Sequence, residues 1–142
     1  MLWYILFFQT FFIDTISVPY DMGANMKGSY LAPNILLSEF KNIDKLKFNK
    51  NYVINTENHI TNILSDSYMQ IWNSLNKNNF PLLLGGDHTV SISSIFAVHE
   101  FCNMNDDILG VIWCDAHADF NTVETSPSGN LHGMPVSVLC GH

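Results

Sequence analysis

Two short apolar runs break directly into histidine-bearing turns, and this constrains the fold more than any other feature of the chain. Pro81-Leu82-Leu83-Leu84 ends in Gly85-Gly86-Asp87-His88, and Ile108-Leu-Gly-Val-Ile-Trp-Cys114 ends in Asp115-Ala-His117-Ala-Asp119. Neither run alternates with polar residues. That is the pattern of a strand buried on both faces, found in parallel sheets covered by helices. Segments of helical period separate the runs. Ile60, Ile63, Leu64, Tyr68, Ile71, Trp72 and Leu75 recur at three- and four-residue spacing after Asn58, and Thr89 to Phe101 predicts a further helix. The alternation argues for an α/β chain with a mostly parallel sheet covered on both faces. Parallel strands end at one edge, so His88 can approach Asp115, His117 and Asp119 in the crevice where open α/β sheets place their ligands.

The rest of the chain fits around this frame. Leu2 to Ile13 is almost wholly apolar and continues through Ile16 to Val18, which predicts a first buried strand. The alternative is an uncleaved targeting segment, although twelve residues are too few to span a bilayer and no basic flank precedes them. Pro19 to Tyr30 is a loop with Gly23 and Gly28. Ser29 is placed to cap a helix from Leu31, with Pro33 in its first turn and Ile35, Leu36 and Phe40 on its apolar side. Residues 41–51 are rich in Asn and Lys and predict a polar connection, with a short strand at Tyr52-Val53-Ile54. The Ile108–Cys114 run predicts another buried strand, with Cys114 a small hydrophobe inside it. The whole, residues 1–142, is sized for one compact domain.

Composition excludes some functions. Thirteen acids against six Lys and Arg give a formal charge of −7, which lacks the basic patch that nucleic acid demands. An acidic balance suits a cationic substrate. The three cysteines, Cys102, Cys114 and Cys140, show no Cys-x-x-Cys spacing, so neither a disulfide framework nor a thiolate zinc site follows, and a reducing compartment is expected.

The chemistry resides in the two turns. If the backbone stays extended past Cys114, Asp115, His117 and Asp119 alternate onto one face. Acids and imidazole gathered beside apolar residues are costly unless a cation compensates them. Alone, Gly-Gly-Asp-His reads as a turn, and Asp-x-His-x-Asp reads more often as a polar loop than as a ligand set. Together at successive strand ends they point to a metal site. Carboxylate and imidazole without thiolate suit manganese, iron or cobalt. A carboxylate bridging two ions could hold them about 3.5–4 Å apart, where a shared water becomes hydroxide at neutral pH. His59, His99 and His142 have no such company and are expected to be solvated or satisfied locally. Asp106-Asp107 reads as a solvated turn.

Three stretches, Gly85-Gly86-Asp87-His88, Asp115-Ala-His117-Ala-Asp119-Phe-Asn121-Thr122 and Glu124-Thr-Ser126-Pro-Ser128-Gly-Asn130-Leu-His132-Gly-Met-Pro135, together resemble the ureohydrolase superfamily and, within it, the arginases. The resemblance covers residues 13–141, and Pro19-Tyr-Asp-Met-Gly23 and Leu31-Ala-Pro33 fit the family's opening. It implies a three-layer αβα fold of the arginase/deacetylase kind, incomplete on its C-terminal side. His88 and Asp119 would bind one manganese ion, His117 a second, and Asp115 would bridge them. A hydroxide between the ions would attack the guanidinium carbon of L-arginine, giving L-ornithine and urea. Asn121 and Ser128 match positions that hold the substrate's α-carboxylate, Ser126 and Asn130 share the same recognition loop, and His132 matches a proton shuttle to the departing amine. The resemblance also implies a homo-oligomer, trimer or hexamer, for the complete protein, and a cytoplasmic location with no membrane or nucleic-acid partner.

One departure matters. Arginases are longer and draw further ligands from a later Asp-x-Asp pair, yet no Asp-x-Asp occurs in this chain. The expectation is that these residues alone bind manganese weakly and show little arginase activity. Two other readings stay open: another ureohydrolase such as agmatinase or formimidoylglutamase, and a non-catalytic, arginase-derived piece that binds a partner.

Overall fold

A computed structural model describes residues 12–142; the expected strand or targeting segment at 2–11 lies outside the described residues. Three strands and four α-helices alternate in the order β1 (Ile13–Val18), α1 (Ala32–Phe40), β2 (Phe48–Val53), α2 (Ile60–Leu75), β3 (Phe80–Gly85), α3 (Ser91–Met104) and α4 (Pro135–Leu139). Single turns of 3-10 helix stand at Ser29–Leu31, His88–Val90 and Leu131–Gly133.

The sheet has the order β2-β1-β3 and is wholly parallel, with Ile16 opposite Tyr52 on one side and Leu83 on the other. Central β1 is buried from Asp14 to Val18. Its Ile16 and Val18 pack with Ile54, with Ile63 and Ile71 of α2, and with Ala97 of α3. The apolar stripe of α2 therefore serves the core, as its periodicity indicates. Helices α1 and α2 both contact β1 and β3, giving the layered α/β arrangement expected from the sequence. At the far end of the sheet, Asn49 and Asn79 each donate at 2.9 Å to one oxygen of buried Asp14, tying β1 to both flanking chains. A carboxylate without a nearby cation is tolerable there because both its oxygens are hydrogen-bonded.

Local signals shift the boundaries slightly. Helix α2 is capped by His59, whose Nδ1 accepts from the Thr61 amide. Ser29 belongs to a 3-10 turn and makes no side-chain cap, although Pro33 does sit in the first turn of α1. Strand β2 begins at Phe48, inside the stretch expected to be a polar connection. Its residues 49–51 are exposed, as befits a polar edge strand that sequence periodicity hides.

The larger correction concerns Ile108–Cys114. It is not a strand, and it has no ladder partner among the described residues. Ile108 is 97% and Ile112 91% exposed, and Cys114, expected inside the core, is also exposed. The run still alternates. Leu109, Val111 and Trp113 face a groove of about 480 Å³ with Ile95, Phe96 and His99 of α3 and Val136, Leu139 and Cys140 of α4. One side is thus partly covered and the other is bare. A run that is apolar on both faces needs cover on both faces, and the described residues supply only one. No helix among the described residues is long and apolar enough to cross a membrane.

Tyr20, which follows β1, is buried. Burial raises its phenol above the usual value of 10.0, with Asp87 and then Asp21 adding to the effect. The folded state therefore holds this proton more tightly than the unfolded chain, so stability should fall as pH rises through about 10. Urea unfolding at several alkaline pH values should show this loss in the natural chain and a shallower dependence in Tyr20→Phe.

Candidate metal and substrate site

Where β1 and β3 end, their chains continue side by side. The Gly86 amide donates to the Val18 carbonyl at 3.2 Å and the Asp87 amide to the Tyr20 carbonyl at 2.9 Å. A Cβ on Gly86 would lie 2.3 Å from the Tyr20 carbonyl oxygen, and one on Gly85 2.4 Å from Val90. Gly86 is thus required by close backbone approach, and Gly85 by the packing of the Val90 side chain against it. Asp87 then caps the following turn, with its Oδ1 accepting from the Thr89 amide at 2.9 Å. This fixes where His88 leaves the sheet.

The Nδ1 of His88 lies 2.9 Å from Asp115 Oδ2 and 2.9 Å from Asp119 Oδ2. A single ring nitrogen can donate one proton, so two carboxylate oxygens on it leave negative charge uncompensated. His88, Asp115 and Asp119 each offer a ligand atom within 4.8 Å of the others. Asp119 is only 9% exposed and holds a left-handed φ of 48°. An Asp tolerates that region better than most residues, and the strain buys a carboxylate aimed at the cluster. Its carbonyl accepts from the Val136 amide at 3.0 Å, which anchors α4 to the site.

His117 stands apart from these three. It is 82% exposed in its side chain, with Nδ1 3.3 Å from the other oxygen of Asp115. Its amide donates to Asp115 Oδ1 at 2.7 Å. That hydrogen bond holds the Asp115 carboxyl below the usual carboxylate range, with the His88 imidazole adding to it. Asp115 thus presents one oxygen to His88 and the other to His117, the disposition of a bridging carboxylate. The donor set contains no thiolate: Cys114 next door is outside the cluster. Oxygen and imidazole donors fit manganese or a similar divalent ion.

Beyond the cluster the chain forms a loop built from short local bonds. The Ser126 amide donates to the Thr122 carbonyl at 3.0 Å, Gly129 to Ser126 Oγ at 3.0 Å, and Asn130 to Ser128 Oγ at 3.3 Å. The two serine hydroxyls accept backbone protons here, so their own protons are free to donate outward. The Asn121 amide donates to the Gly133 carbonyl at 3.1 Å, and the His132 amide to the Gly23 carbonyl at 3.2 Å. A cavity of about 380 Å³ is lined by Asn121, Ser126, Ser128, Asn130 and His132, with His117 and Asp119 at its margin. Seven of the nine sequence-derived candidates line this cavity; His88 and Asp115 do not, but they contact Asp119 and His117, which do.

The remaining histidines are satisfied locally. His99 pairs with Asn103 and His142 lies edge-on to Phe120. Sequence reasoning missed three contributors. Trp113 packs edge-on to the His88 ring at 5.4 Å, α4 backs Asp119, and Gly23 meets both Asp87 and His132. Only Gly23 carried a signal, its place in Pro19-Tyr-Asp-Met-Gly23.

Fold and cluster together define a layered α/β protein that gathers acids and imidazole beyond the carboxyl ends of parallel strands. The chain belongs to the arginase family, whose family model matches residues 13–141. It is 35% identical over 150 residues to an arginase of Staphylococcus aureus (strain MSSA476), covering 91% of this chain and 48% of that protein. The crystal structure of arginase from Bacillus subtilis superposes with a TM-score of 0.78 at 33% identity, covering 92% of this chain and 47% of the other. That of Entamoeba histolytica arginase in complex with L-ornithine matches with a TM-score of 0.76 at 27% identity, covering 94% and 51%. The chain thus spans about half the length of the relatives it matches.

Removing one ligand should be visible without turnover. In manganese titrations followed by electron paramagnetic resonance of free ion, His88→Ala and Asp119→Ala should each weaken binding at least about tenfold, whereas Ser128→Ala should leave it unchanged. Equal affinity in all of these chains would remove the cluster from consideration as a metal site.

Proposed function

We propose that this chain carries the manganese-binding and amino-acid-recognising part of an arginase, which hydrolyses L-arginine to L-ornithine and urea. One observation carries the reading: Asp119 of the acid–imidazole cluster lines the same cavity as the hydroxyl- and amide-bearing loop. In this reading His88 and Asp119 would hold one divalent ion and His117 a second, with Asp115 serving as a shared carboxylate ligand. A bound pair of divalent ions supplies the acidity that makes water a nucleophile at neutral pH. The chain's own residues do the rest. Ser126 and Ser128 have hydroxyl protons to give, and Asn121 and Asn130 carry amide donors, a set suited to an α-carboxylate. Grasping that end of the substrate orients its guanidinium toward the carboxylates, which tolerate its charge. His132, on the cavity wall, is placed to pass a proton to the departing amine of ornithine. Assembly as a homo-oligomer belongs to the same proposal for the complete protein.

Recognition of the carboxylate separates this reading from an agmatinase-like one. With diamagnetic magnesium in place of manganese, L-ornithine should shift the Asn121, Ser128 and Asn130 amide resonances, and agmatine, which lacks the carboxylate, should not. Equal shifts with agmatine would overturn the assignment. Among the described residues three donors converge within 4.8 Å, and the sequence has no Asp-x-Asp. Urea release by these 142 residues should therefore stay near background with saturating manganese, and ordinary arginase rates would refute this.

A further inference from the structure

The two halves of the site come from distant parts of the chain and meet through one buried carboxylate that the proposed reaction does not use. Asp87 Oδ2 accepts from the Gly23 amide at 2.9 Å, while its Oδ1 accepts from the Thr89 amide at 2.9 Å. Its own amide donates to the Tyr20 carbonyl at 2.9 Å. The turn after β1 is thus clamped at both ends, Tyr20 and Gly23, by a single residue. Gly23 lies hard against this clamp: a Cβ there would sit 2.2 Å from Thr89 Oγ1 and 2.9 Å from Asp87 Oδ2. The carbonyl of the same residue faces the loop at residues 122–133, where it accepts from the His132 amide at 3.2 Å.

We propose that Asp87 is a positioning residue: by holding Gly23 it sets the place of His132 over the cavity, as well as the start of the turn that carries His88. The carboxylate is buried and its two oxygens are answered by backbone N–H groups, not by a cation. An acceptor on both sides is what the geometry requires. Asparagine, of nearly the same shape, offers an oxygen to one amide and turns an N–H toward the other, so one clamp bond must break. The inference rests on His132 being the proton carrier proposed above, and adds what keeps it in place.

The test uses the metal-free 142-residue chain and needs no activity. Amide hydrogen exchange measured by NMR should show His132 protected in the natural chain. In Asp87→Asn the His132 and Gly23 amides should exchange about tenfold faster or more, the loss of one backbone hydrogen bond. Ile71→Val, a core change remote from the clamp, should leave the exchange of His132 relative to the core amides unchanged. A folded Asp87→Asn chain with natural His132 protection, or equal acceleration in Ile71→Val, would overturn the proposal. Should Asp87→Asn fail to fold, couplings across hydrogen bonds in the natural chain decide. A measurable coupling from the Gly23 amide to the Asp87 carboxyl carbon, and from the His132 amide to the Gly23 carbonyl carbon, is expected, and absence of either sinks the idea. Failure of L-ornithine to bind would instead count against the functional reading and leave the clamp intact.

Discussion

Two carboxylates share one imidazole nitrogen, and this crowding is the constraint around which the rest of the molecule is arranged. Asp115 and Asp119 both approach His88 Nδ1 at 2.9 Å. Like charges at such range repel, and a partly shielded pocket strengthens the repulsion. The chain holds them together with backbone: an amide of His117 on Asp115, a left-handed residue at 119, and α4 hung from the Asp119 carbonyl. An arrangement that resists its own electrostatics is poised for a cation, and membership of the arginase family gives that poise a chemical context.

The sheet supplies the other half of the constraint. Because β1 is central and both neighbours run parallel to it, the exits of β1 and β3 lie side by side. Their contact is backbone against backbone at Gly86 and Tyr20, closer than any side chain would permit. That closeness brings the β1 turn under Asp87 and hence within reach of the loop at residues 122–133. Position in the sheet, not sequence proximity, makes residues 23, 88 and 132 neighbours.

Much of this was legible in the residues. The apolar run at 82–84 reported a strand and the stripe on α2 reported a core face, although in edge strand β3 only Leu84 is buried and Leu82 and Leu83 are half-buried. The cluster was foreshadowed because acids and imidazole in two successive turns are costly to gather without a compensating cation. Illegible were features that depend on partners. The exposed, polar strand β2 is made by pairing with β1, and nothing in Phe48–Val53 advertises it. The residues 108–114 read as a strand for sound reasons, yet strand geometry needs neighbours as well as composition. The capping of α2 by His59 depends on the extended backbone at that residue, which the apolar pattern does not report.

The half-covered state of residues 108–114 bears on how the site can work. Asp115, His117 and Asp119 hang from the end of a segment that no ladder of hydrogen bonds stiffens. Ligands on such a tether must be immobilised when an ion arrives, and that loss of freedom offsets part of the coordination energy. The same linkage runs in reverse: an ion held there would act as a rivet, fastening the tether to α3 and α4 and lowering the entropy of everything downstream of it.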